Sequence, residues 1–258
     1  MSDWPLFELE QFGIQVRGRT LLHGVSCRIP ERQITAILGP ERSGKTLLLH
    51  GLNGFMALLA TQPDCSIQTM GTLCYRGYPL ACGFGVRSGA IALVVPRVFP
   101  GSIFANVAYG VRAQGQRTER LYLEEWVAKC LTWVGLDDLV ARWQDSADLL
   151  SPGEQQQLAL ARGLAIRPEV LLLDEPWTGL DAVTQEHLSQ LLRSLRQRCA
   201  LVVTSRRYQA AVRIADWLLL LEREEEGGRF VAAGSPQELL MTPPSRVVQD
   251  YLSRYMRT

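Results

Sequence analysis

The chain has 258 residues, enough for one large domain or two small ones. Apolar residues make up 47% and charged residues 21%, which excludes disordered, collagen-like and coiled-coil chains. The formal net charge of +1 supplies no global positive field, so no nucleic-acid partner is expected. The first thirty residues read as strands: Leu6–Glu10 and Val25–Ile29 alternate, with a turn expected at His23-Gly24. After the turn at Pro30-Glu31-Arg32, Ile34–Leu38 is a short apolar run suited to a buried strand. A Gly-rich turn follows, and helical character begins at Thr46–Leu52. Residues 61–90 are broken by Pro63, Gly71, Gly77, Pro79, Gly83, Gly85 and Gly89 and read as short strands and loops.

Ile91–Val95 is a second buried-strand candidate, and Ser102 to about Leu150 is mostly helical. Within it, apolar residues at 121, 123, 126, 127, 130, 131 and 134 predict one helical stripe. Ser151 caps a further helix, with Pro152 in its first turn, that runs to about Ile166. Strands at Val170–Leu173, Ala200–Thr204 and Trp217–Leu221 then alternate with helices at Ala182–Arg198 and Tyr208–Ala215, the pattern of a parallel α/β core. The acidic run Glu222–Glu226 reads as a solvated hairpin end. Six cysteines without a C-x-x-C pair, and three scattered histidines, argue for free thiols and against zinc. The apolar runs of about five residues fall far short of the about 20 a bilayer span needs, and Met1–Pro5 shows no leader-like pattern. A membrane role is therefore expected to go through a partner.

Two segments carry chemistry. Gly39-Pro40-Glu41-Arg42-Ser43-Gly44-Lys45-Thr46 satisfies G-x-x-x-x-G-K-[ST], between a buried-strand run and a helix start. The glycines let backbone N–H groups, on to Leu47, converge on phosphate oxygens. Lys45, one of only two lysines in the chain, supplies a point charge to the β and γ phosphates, and Thr46 a hydroxyl for Mg²⁺. Val170–Leu173 followed by Asp174-Glu175 places a carboxylate at the carboxyl edge of a sheet. Asp174 is a candidate Mg²⁺ ligand, and Glu175 a candidate base for an attacking water. Gly83-Phe84-Gly85-Val86-Arg87-Ser88 looks like a dinucleotide fingerprint but lacks the third glycine, and reads as a plain turn.

Further motifs carry a family resemblance. Leu150-Ser151-Pro152-Gly153-Glu154-Gln155 resembles the L-S-G-G-Q signature of ATP-binding-cassette (ABC) transporter ATPases, and Leu180-Asp181 resembles their D-loop. Ser102–Arg112, Thr35–Pro40, Leu52-Asn53 and Gln249–Leu252 resemble the ATP-binding subunit of phosphate importers. The resemblance implies an α/β P-loop core with an N-terminal antiparallel β subdomain and a helical subdomain at about 97–160, all within one cassette. It implies ATP and Mg²⁺ as ligands, transmembrane permease subunits as partners, and a location at the inner face of the cell membrane. It further implies a head-to-tail dimer with a second cassette, identical or different, in which Ser151, Gly153 and Asp181 act across the interface. A chromosome-associated cassette would need a long coiled coil, and ribosome-acting members usually carry two cassettes; this chain has neither feature.

The sequence also departs from that pattern. Val16 stands where an aromatic ring would stack on adenine, with Phe12 nearby; Pro96 replaces a glutamine; Pro152 and Glu154 alter the signature; Ser205 replaces a histidine that contacts the γ phosphate. Pro96 has neither a polar side chain nor an N–H. Such changes predict slow hydrolysis, unless Ser205 or Arg206 takes over, and they leave a weakly hydrolytic or regulatory cassette as the alternative.

Overall fold

Why the chain folds as it does is clearest at its apolar runs: Ile34–Leu38 and Val170–Leu173 become strands buried at every position, whereas of Ile91–Val95 the strand takes only Ile91–Val94 and Val95 is exposed. The structure, a computed structural model, describes residues 5–54, 66–80, 90–113, 119–225 and 227–255; the Gly83–Ser88 turn, Cys65 and Cys82 lie outside the described residues. In chain order the elements are β1 (Phe7–Val16), β2 (Arg19–Ile29), β3 (Ile34–Leu38), α1 (Lys45–Leu52), β4 (Ile67–Tyr75), β5 (Tyr78–Pro79) and β6 (Ile91–Val94). There follow α2 (Ile103–Ala113), α3 (Arg120–Trp133), α4 (Pro152–Leu164), β7 (Val170–Leu173), α5 (Ala182–Leu195) and β8 (Ala200–Ser205). The chain closes with α6 (Tyr208–Ile214), β9 (Trp217–Glu224), β10 (Gly227–Gly234), α7 (Pro236–Met241) and α8 (Arg246–Tyr255).

These elements form two compact units. The first comprises residues up to Arg87 together with Ala200 onward; the second spans Ser88–Cys199. In the first unit the strands lie in the order β5-β4-β1-β2-β10-β9-β3-β8. β1 pairs antiparallel with β2 and β4, whereas β3 pairs parallel with both β8 and β9. β3 is buried at all five positions and β8 at all six, as strands covered on both faces must be. In the second unit β6 and β7 pair in parallel, and α4 packs against α2, α3 and β6. Both units are α/β, with the antiparallel strands confined to the first. No helix among the described residues is long and apolar enough to cross a membrane.

Four expectations are corrected. The hairpin turn between β1 and β2 is Arg17-Gly18, with φ of 50° and 74°, not His23-Gly24, which lies inside β2. Paired positive φ values make the tight turn whose twist matches the flanking strands. Ile67–Tyr75 is a continuous nine-residue strand, because Gly71 sits at a register shift against β1 instead of ending the strand. Leu121 is 74% exposed and lies off the buried stripe of α3, which runs through Leu123, Val127, Cys130 and Leu131. Ala182–Arg198 is helical only to Leu195. Cys27, Cys74, Cys130 and Cys199 are free thiols, and burial pushes Cys27, Cys130 and Cys199 up to about 12, so those three are not nucleophiles at neutral pH.

One close approach fixes where the first unit presents its loops. A Cβ built on Gly228 in β10 would lie 2.0 Å from the carbonyl oxygen of Ser43 and 2.5 Å from its carbon. Only glycine allows β10 to pass under the loop before α1. Gly228→Ala is expected to destabilise the protein by about 1–3 kcal/mol through overpacking; a denaturant midpoint unchanged from wild type would show that the loop yields freely.

Candidate functional site

The first unit carries the phosphate loop. From the end of β3 the chain turns through Gly39–Gly44 and enters α1 at Lys45. Arg42 (φ 62°) and Gly44 (φ 87°) are left-handed. Left-handed residues so spaced turn successive N–H groups toward one side, and the start of α1 adds its own unpaired donors. Lys45 is buried, and its Nζ donates to the carbonyl oxygens of Gly39 and Pro40, each at 2.9 Å. Its ammonium is thereby tied to the loop where a phosphate oxygen would compete for it. The Ser43 hydroxyl is fully buried and has no hydrogen-bond partner among the described residues.

A cavity of about 510 Å³ opens beside this loop, within the range that holds a nucleotide. Gly44, Lys45, Thr46 and Leu47 line one part of it; Arg19, Leu21, Arg223, Glu224 and Glu225 also contribute. Arg19, Arg42, Lys45 and Arg223 bring four positive charges against the carboxylates of Glu224 and Glu225. Glu224 is itself paired with Arg229 at 2.9 Å, so the cavity favours an anion. Of the acidic run, Glu222 lies within β9 and pairs with Arg229 and Arg254, Glu224 and Glu225 wall the cavity, and Glu226 lies outside the described residues. Among the described residues, no aromatic ring lines it. Phe12 is buried, and its ring lies where a Cβ on Gly51 would touch it at 3.1 Å, so it belongs to the core. Val16 sits across the β1–β2 turn from Arg19.

At the carboxyl end of β8, Ser205 pairs in register with Leu38, the residue before the loop. Ser205 is 1% exposed; its hydroxyl donates to the Arg207 carbonyl at 3.2 Å and accepts the Arg207 N–H at 2.9 Å. The neighbouring Arg206 forms an ion pair with Glu41 in the phosphate loop. Sequence reasoning assigned Glu41 only to the loop's backbone and did not foresee this pair.

In the second unit, β7 delivers Asp174 and Glu175 at its carboxyl end. Glu175 has φ 46°, a left-handed conformation costly for a residue with a side chain and typical of functional sites. Its carbonyl accepts the Thr178 N–H at 3.0 Å. Trp177 is buried and donates from Nε1 to Ser189 Oγ at 3.0 Å, anchoring the turn to α5. Ser151 caps α4 as expected, in a full capping box: its hydroxyl accepts Glu154 N–H at 3.3 Å, and Glu154 Oε2 accepts Ser151 N–H at 2.8 Å and O–H at 2.7 Å. Those bonds hold the Glu154 carboxyl below its usual range. Ser151, Gly153, Leu180 and Thr184 share a cavity of about 180 Å³. Asp181 is committed to its own helix: it caps α5 by accepting the Val183 and Thr184 N–H groups at 3.0 and 3.1 Å.

Pro96 lies on an exposed loop after β6 that Arg162 of α4 pins. The Arg162 guanidinium donates to the Val95 carbonyl at 2.6 Å, the Arg97 carbonyl at 2.9 Å and Asn106 Oδ1 at 3.1 Å, and stacks 4.0 Å from the Phe99 ring centre. Sequence reasoning missed this arginine because nothing in a helical pattern marks one as buried.

Comparison with known proteins matches this picture. The sequence profile of the family described as "ABC transporter" matches residues 22–178. The chain is 31% identical to the "Phosphate import ATP-binding protein PstB" of Thermotoga maritima, over 96% of this chain and 98% of that protein. It is 32% identical to "Phosphate import ATP-binding protein PstB 1" of Yersinia pestis, over 95% of this chain and 89% of that protein. Among solved structures, cbiO1 from Clostridium perfringens, part of an ABC transporter complex, aligns with a TM-score of 0.76 at 21% identity, covering 99% and 97% of the two chains. The ADP form of MJ1267, an ATP-binding cassette of an ABC transporter, gives 0.74 at 18%, covering 96% and 98%. The fold and the loop define a P-loop ATPase. The chain belongs to the ABC transporter family, as one of its ATP-binding subunits.

The caps give the site a pH signature. Hydrogen bonds from Ser151 lower Glu154, and those from Thr184 and Val183 lower Asp181. Their contribution to stability is full above the ordinary carboxylate range and is lost as pH falls through the lowered folded values. Glu154→Gln with Asp181→Asn is expected to flatten the fall in melting temperature below about pH 4; an acid limb as steep as that of the wild type would place the titrating groups elsewhere.

Proposed function

We propose that this chain is the ATP-binding and ATP-hydrolysing subunit of an importer of inorganic phosphate. The observation that carries the reading is the left-handed loop at Gly39–Gly44, with Lys45 and the buried Ser43 hydroxyl, unpartnered among the described residues. The phosphate substrate is supported by likeness along nearly the whole chain to proteins named for phosphate import. In this reading Gly39 and Pro40 shape the turn, and the loop N–H groups from Glu41 to Leu47, with the Lys45 ammonium, hold the β and γ phosphates. Thr46 and Asp174 would each offer an oxygen ligand to Mg²⁺, which when bound would offset phosphate charge. Glu175 accepts a proton from the attacking water. Ser151, Gly153 and Asp181 serve the nucleotide of a second cassette, identical or different. The helical part of residues 97–160 meets transmembrane permease subunits at the inner face of the cell membrane. In membranes that hold the chain with its permease, phosphate should stimulate ATP hydrolysis and sulfate should not; equal stimulation by both anions would remove the phosphate assignment.

Two solution measurements test the nucleotide site itself. Lys45→Ala is expected to abolish the rise in melting temperature that Mg-ATP gives the wild type; an undiminished rise would remove the loop from the binding site. Because no ring among the described residues lines the cavity, ATP and GTP should bind within about threefold of each other, stacking being the ring's main contribution. A strong ATP preference would require a base contact other than these side chains.

The structure favours slow turnover as a second feature. Ser205 is buried with its hydroxyl committed to Arg207, and Pro96 has no group with which to orient water. Losing one pre-organised transition-state donor costs about 10²–10³ in rate. Phosphate release by the isolated protein should therefore be slow, and Glu175→Gln should remove what remains and trap an ATP-bound dimer on size exclusion. Brisk release by the isolated wild type would favour an ordinary transport ATPase.

A further inference from the structure

The carboxyl end of β8 points a chain segment at the phosphate loop. Ser205, the residue in register with Leu38, cannot leave its pocket to meet a ligand without breaking both bonds to Arg207. The next residue does reach the loop: the Arg206 guanidinium pairs with the Glu41 carboxylate, two residues into it. We propose that Arg206 supplies a γ-phosphate contact in this chain, and that Glu41 holds its guanidinium until a nucleotide carrying a γ phosphate displaces it. The inference rests on the reading of the Gly39–Thr46 loop as the ATP site.

Three physical arguments carry it. First, the pair is loose. The side chains are 44% and 69% exposed, and ion pairs so exposed contribute little to stability, so exchanging partners costs little. Second, the replacement is stronger than what it replaces. A guanidinium fork matches phosphate oxygens as well as a carboxylate, and the γ phosphate carries more charge than a single carboxylate. Third, the carboxylate is otherwise unexplained. Glu41 sits in a loop whose Arg42 and Lys45 line an anion-favouring cavity, where an acidic side chain opposes polyphosphate binding unless it has a task. Holding Arg206 in reserve is such a task, and it makes the site discriminate ATP from ADP. ADP lacks the group for which Arg206 would leave Glu41.

The test is calorimetric titration of the full chain with Mg²⁺ and either ADP or a non-hydrolysable ATP analogue, with circular dichroism to verify folding. Arg206→Ala is expected to weaken binding of the ATP analogue about tenfold and to leave ADP unchanged. Arg206→Lys should recover only part of the loss, because an ammonium lacks the fork. Glu41→Gln should tighten the analogue severalfold, and the gain should vanish when Arg206→Ala is added. An equal loss for both nucleotides in Arg206→Ala would overturn the proposal, as would a gain from Glu41→Gln that survives without Arg206. Lys45→Ala separates the two readings. If it abolishes binding while the Arg206 variants bind as wild type does, the loop reading stands and the arginine is not the contact. If Lys45→Ala binds both nucleotides normally, the ATP site lies elsewhere and both readings fall.

Discussion

The seating of the phosphate loop on the backbone of β10 is the constraint from which the rest of the site follows. Gly228 lies so close to Ser43 that no side chain fits between them, and Lys45 closes the loop from the other side by bonding to Gly39 and Pro40. The loop therefore holds its left-handed turns at Arg42 and Gly44 as part of the packed unit. Pre-organisation of this kind matters because donors already aimed need no rearrangement when charge arrives. Tyr251 reinforces the same region: its hydroxyl donates to the Leu221 carbonyl at 2.8 Å, tying α8 to β9.

Around that fixed loop the side chains are unusual in their charges. Glu41 and Arg42 put opposite charges within the loop itself, Arg206 answers the first, and Arg19 and Arg223 enrich the cavity beyond it. In the second unit Glu154 uses its carboxylate to complete the cap of α4, a local helix-stabilising role that the signature position serves whatever else it does. Where a ring, a glutamine and a histidine were expected, the chain has Val16, Pro96 and Ser205. It compensates structurally at one of these places, pinning the Pro96 loop with the buried Arg162. A pinned loop retains its shape even where its polar group is gone.

How much of this was legible in the sequence depended on range. Ile34–Leu38 and Val170–Leu173 announced buried strands because every residue in them is apolar, and Ser151-Pro152 announced a cap because those residue types suit that position. The phosphate loop was legible because its spacing is local. The Arg17-Gly18 turn was missed because arginine at positive φ carries no signal, and the long β4 because a glycine inside a strand looks like its end. Arg206 and Glu41 are 165 residues apart, so only the fold brings them together. Arg162 was hidden for the opposite reason: a lone arginine in a helix reads as solvated until its three acceptors are in view.

The central claim is that the loop is a preformed phosphate cradle, so the most direct measurement is a crystal structure of the protein with Mg²⁺ and a non-hydrolysable ATP analogue. The account predicts that the backbone from Gly39 to Thr46 stays within about 1 Å of its position here. Lys45 Nζ would exchange the carbonyl oxygens of Gly39 and Pro40 for phosphate oxygens. A loop that refolds around the nucleotide, or a nucleotide bound away from Lys45, would contradict it.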